Sequence, residues 1–133
     1  MSISRHQIRK IAFQTLFALN SNPEAKAEDI YRELLDEATS NQPIPAYLEQ
    51  LVEGVLNNQL KIDELIAKHL NKNWTLARLN RTDLLILRLA VYEITFEQDL
   101  ANKVALDEAL QLAKEFSDDK SRRFINGILN NLI

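Results

Sequence analysis

A chain of 133 residues, 46% hydrophobic and 26% charged, is long enough for one compact domain with a real core. Two glycines and three prolines are too few for a meander of short strands, so an all-α fold is expected. The absence of cysteine excludes a disulfide framework, a thiolate nucleophile and the usual cysteine-type zinc site. The net charge of −3 conceals a segregation of sign. Residues 1–23 carry Arg5, Arg9 and Lys10 and no acid, and residues 24–64 are rich in Asp and Glu. Residues 65–92 set Lys68, Lys72, Arg78, Arg81 and Arg88 against Asp83. An acidic whole can still present a basic patch to a polyanion, because attraction depends on local potential over about one Debye length. Solvated helix faces are the plainer alternative.

The first helix is expected from about Ser4 to Asn20, since Ile8, Ile11, Ala12, Thr15, Leu16 and Leu19 recur at the three-and-four spacing of a buried face. Ser4 supplies a cap, and Asn20-Ser21-Asn22-Pro23 a stop. A second helix is expected over 26–38, on Ile30, Tyr31, Leu34, Leu35 and Ala38, followed by the linker ATSNQPIP. From Pro45 to about Leu70 one helical register persists through Leu48, Val52, Val55, Ile62, Ile66 and His69, which predicts a long helix bent near Asn57-Asn58. Residues 71–80 form a polar connector holding Trp74, the expected seam between subdomains 1–72 and 73–133 of a single 1–133 domain. Thr82 is the expected cap of a helix over 83–96, which is apolar on nearly every side and so should be surrounded by the others. Helices over 103–116 and 119–132 complete the chain, with Ser117, Asp118 or Asp119 capping the last. About seven helices in two small bundles sharing a core is the expected architecture.

Catalysis finds little material here. His6 and His69 are the only histidines and sit in no triad or metal-ligand spacing, and glycine-rich phosphate loops are absent. No enzyme activity, metal or cofactor is expected. The apolar runs LLIL and LAVY are split by Arg88 and fall well short of a roughly 20-residue membrane span, and residues 3–19 lack the apolar run of a signal peptide. A soluble, cytoplasmic protein is expected.

Two segments invite a nucleic-acid reading. On the first helix, Arg5, Arg9, Phe13 and Phe17 form one ridge, flanked by His6 and Lys10. Phe13 reads as packed against a neighbouring helix; for Phe17, packing and a wet, partner-facing position are both open. Near the start of the last helix stand Lys120, Ser121, Arg122, Arg123 and Phe124, where unpaired N–H groups and the helix dipole favour an anion. Cations beside a ring at the edge of an apolar stripe suit single-stranded RNA. A helix cap with a core-edge Phe is the alternative.

LRLAVYE at 87–93, VALDEALQLAKEF at 104–116, SRRFINGIL at 121–129 and the basic helix RHQIRKIAFQTLF at 5–17 occur in an order that resembles the NusB family of bacterial antitermination factors. The resemblance implies a small helical factor that binds single-stranded boxA RNA together with NusE, the ribosomal protein that doubles as a transcription factor, within an RNA polymerase antitermination complex, notably on ribosomal RNA operons. It implies RNA contacts from Arg5, His6, Arg9, Lys10, Lys120, Arg122, Arg123 and Phe124, and a NusE-facing surface at Phe17 and Asp83. Many members have a denser arginine run where this chain has His6 and Gln7, which predicts weaker RNA affinity. The rival reading is a helical protein-interaction module without specific RNA binding. The oligomeric state, monomer or homodimer, is left open.

Overall fold

The computed structural model describes residues 3–35 and 42–133. Among them are seven α-helices and no strand: α1 Arg5–Ser21, α2 Ala27–Leu34, α3 Ala46–Asn57, α4 Gln59–Lys68, α5 Arg81–Phe96, α6 Asn102–Phe116 and α7 Asp119–Asn130. A one-turn 3-10 helix, Leu76–Arg78, lies between α4 and α5. None of the helices is long and apolar enough to cross a membrane. The contacts divide the chain into two compact units, residues 1–54 and 55–133.

In the first unit, α1 begins with a reciprocal cap. The Gln7 backbone N–H donates to Ser4 Oγ at 3.1 Å, and the Ser4 N–H donates to Gln7 Oε1 at 3.3 Å, so two otherwise orphaned donors are satisfied. The expected stripe of Ile8, Ile11, Ala12, Thr15 and Leu16 is buried, and the Thr15 hydroxyl donates to the Ile11 carbonyl at 2.8 Å. The second helix is shorter than its periodicity predicts: it ends at Leu34, and Ala38 lies outside the described residues. It packs on α1 and buries Tyr31. Burial, with Glu53 and Glu49 nearby, pushes the Tyr31 phenol up to about 12.

The long helix expected over 45–70 is two helices, since Asn58 leaves helical geometry at φ −117°, ψ 17° and α4 restarts at Gln59. The second unit is organised by α5, in which every residue from Leu85 to Glu93 is buried. Helices α4, α6 and α7 all pack on it, as its all-round apolar sequence requires. Arg88, the cation that interrupts the apolar run, is matched by a two-point ion pair: its Nε and Nη2 donate to Asp63 of α4 at 2.9 and 3.0 Å. The cap of α5 is Asn80 rather than Thr82; its Oδ1 accepts from the Asp83 N–H at 2.8 Å, and the helix starts two residues earlier than expected. The connector at 71–80, expected to be a seam, falls inside the second unit, because its 3-10 turn packs on α4, which itself packs on α5.

Candidate nucleic-acid interface

On α1 the basic ridge is shaped by one ring. Arg5 and Arg9, one helical turn apart, both direct their guanidinium groups at Tyr47 of α3, 4.0 and 5.9 Å from its centroid. Arg5 is exposed, so its guanidinium is open to solvent as well as to the ring. Arg9 differs: only 3% of it is exposed, so it is part of the interior of this unit. His6 and Lys10 are half-buried. Phe13 is buried, and half-buried Phe17 contacts it, with ring centroids 6.2 Å apart at 58°.

The α7 segment is built on a chain of hydrogen bonds. Asp118 is the cap, accepting from the Ser121 N–H at 2.8 Å, a bond that, with Lys120 nearby, holds its carboxyl below the usual carboxylate range. The buried Ser121 hydroxyl donates to Asp83 Oδ2 at 3.0 Å, tying α7 to the first turn of α5. Asp83 also accepts from Asn80 Nδ2 at 3.1 Å, and its Oδ1 is buried with no hydrogen-bond partner among the described residues. Burial, reinforced by the Asp118 charge, pushes the Asp83 carboxyl up despite these donors. Asp83, expected on a NusE-facing surface, is 6% exposed, and with the cap at Asn80 its carboxylate meets Ser121 and braces the start of α7.

Lys120, Arg122 and Arg123 are exposed. Arg122 and Arg123 line a groove of about 380 Å³ with Asn126 and, from α6, Asp107, Gln111 and Lys114. Arg122 also reaches Asp119 at 3.5 Å. Phe124 lies on another side of the helix, because residues two apart are separated by about 200° and do not face each other. Its ring meets Trp74, 6.2 Å away at 49°. The arginines and the ring that the sequence sets side by side are thus delivered to different faces. Tyr47, Trp74, Lys114 and Gln111 were not among the candidates expected from the sequence. Of these only Trp74, an aromatic in a polar connector, left a visible signal.

Cations held at helix starts and against half-buried or exposed rings, on a scaffold of packed helices, define an all-α binding protein. The NusB family model matches residues 6–133, and the chain belongs to that family. The transcription antitermination protein NusB of Ligilactobacillus salivarius is 61% identical over 133 residues, covering all of both chains. Among solved structures, T. maritima NusB superposes with a TM-score of 0.87 at 36% identity, over 99% of this chain and 92% of that one. A structure of the antitermination factors NusB and NusE in complex with double-stranded RNA matches with a TM-score of 0.82 at 26% identity, covering 96% of this chain and 94% of that one.

Proposed function

We propose that this protein is a cytoplasmic transcription antitermination factor that binds boxA-type RNA together with NusE and joins an RNA polymerase complex that resists termination. The observation that carries this reading is the family match over residues 6–133, supported by a similar NusB solved with NusE on RNA. The work is assembly, with no bond made or broken. Arg5, His6 and Lys10 on α1, and Lys120, Arg122 and Arg123 on α7, supply donors to phosphates and base edges. Arg9 contributes from inside, where its guanidinium and that of Arg5 share the Tyr47 ring. Phe124 stacks with a base, and Phe17 contributes to the NusE surface. Asp83 supports the α7 residues through Ser121, by fixing the start of that helix.

The test is a titration of the full chain with boxA-type and scrambled RNA, with and without NusE. The expected result is preference for the boxA type and tighter binding with NusE present. Equal binding to both RNAs, unaffected by NusE, would overturn the reading in favour of a protein-interaction module.

A further inference from the structure

Trp74, the single tryptophan, is 44% exposed, although tryptophan is among the residues that folding buries most on average. Its position is fixed. The Trp74 backbone N–H donates to the Asn71 carbonyl at 2.9 Å, and Arg78 lies over the indole at 5.5 Å while its Nη1 donates to the Asn73 carbonyl at 2.7 Å. Phe124 contacts the same indole from α7. Lys120, four residues before Phe124, shares that side of the helix, whereas Asp119 turns to the other side, toward Arg122. The result is an aromatic surface, partly open, with Arg78 on the indole and Lys120 on the Phe124 side of α7.

We infer that Trp74 and Phe124 form a stacking platform for an unpaired base of single-stranded RNA, with Arg78 and Lys120 serving the adjoining phosphates. An apolar protein side chain would also suit an exposed ring, but it would gain nothing from the bordering cations, whereas an RNA strand carries the complementary charge with every base. This rests on the RNA-binding reading above and deepens it: the connector at 71–80 becomes part of the RNA site, and the groove of Arg122, Arg123 and Lys114 becomes a separate phosphate track on the other side of α7.

Because the chain has one tryptophan, its fluorescence reports this surface directly. Titration of the full chain with boxA-type RNA should quench that emission with the same midpoint as the anisotropy of the end-labelled RNA. Trp74→Ala should weaken binding roughly 5- to 150-fold, the range for loss of one stacked base, while Trp74→Phe keeps most of the affinity. Both variants should melt close to the parent. Normal anisotropy with no quenching, and full affinity in Trp74→Ala, would overturn the platform and leave the RNA reading standing. Loss of NusE binding with RNA affinity intact would make Trp74 a protein contact and overturn it as well. Failure of the parent to bind RNA at all would overturn both. Should Trp74→Ala fail to fold, the parent's quenching and the Trp74→Phe affinity decide.

Discussion

The two basic segments use their cations in opposite ways. On α1 the arginines are held by the fold: one lies over the Tyr47 ring and the other is nearly sealed inside beside it. On α7 the cations stand in solvent, and it is the helix start beneath them that is fixed, through Asp118, Ser121 and Asp83. Charge in the first segment is therefore part of the packing, while charge in the second should be removable without disturbing what carries it.

The largest test of that contrast is stability. Arg9→Ala removes a buried side chain and its contact with the Tyr47 ring, and should cost about 3 kcal/mol, whereas Arg122→Ala should stay within about 0.5 kcal/mol of the parent. Thermal or denaturant melts of the two variants decide it, and equal losses would erase the distinction.

Salt dependence sharpens the same contrast from the binding side. With about five phosphates neutralised at roughly −0.7 each, log affinity for single-stranded RNA should fall with log salt at a slope near −3.5. Replacing Arg122 and Arg123 together by alanine should flatten that slope to roughly −2.1. An unchanged slope in the double variant would remove the α7 arginines from the RNA site.

A smaller effect probes the brace under α7. The Asp83 carboxyl is pushed above its usual 3.8, so the folded state holds that proton more tightly than the unfolded chain does. Stability from this group is present below 3.8 and is lost as pH climbs through the raised folded value. Asp118, held low by its cap bond, acts with the opposite sign, losing its contribution as pH falls below the usual carboxylate range. Melting temperatures of Asp83→Asn and the parent, compared from pH 3 to 7, should therefore shift in favour of the variant with rising pH. A constant difference would mean that Asp83 ionises without penalty.

The smallest expected change lies further along α7. Gly127 is exposed, has no positive φ, and a Cβ added there meets nothing within 4 Å. Gly127→Ala should stabilise by about 0.5–1 kcal/mol in a denaturant melt, and an unchanged or lower midpoint would show that the added methyl group is not accommodated.

What could be read from the sequence was local or periodic. The Ser4 cap, the α1 stripe and the all-round apolar α5 follow from spacing alone, and the family followed from the order of four segments. Pairings across the chain were not legible. Nothing adjacent to Arg88 announces Asp63, 25 residues away, and nothing near Phe124 announces Trp74, fifty residues earlier in the chain. The burial of Arg9 was hidden for a simpler reason. It shares a helical side with Phe13 and Leu16, and a charged residue at a stripe's edge reads as surface until a neighbouring ring encloses it. The burial of Asp83 was not legible because Thr82, two residues too late, offered itself as the cap, which leaves the next carboxylate looking outward.

The pairing of Arg88 with Asp63 also constrains how the chain can change over generations. Both side chains are largely buried, at 10% and 19% exposure, and each satisfies the other through two parallel bonds. A mutation at either position alone leaves an uncompensated charge in the interior, a loss of several kcal/mol that a marginally stable domain does not survive easily. A lineage can therefore leave this state only by a paired replacement or by passing through a variant stabilised elsewhere. Substitutions at 63 and 88 should arise together, as one heritable unit spanning two helices.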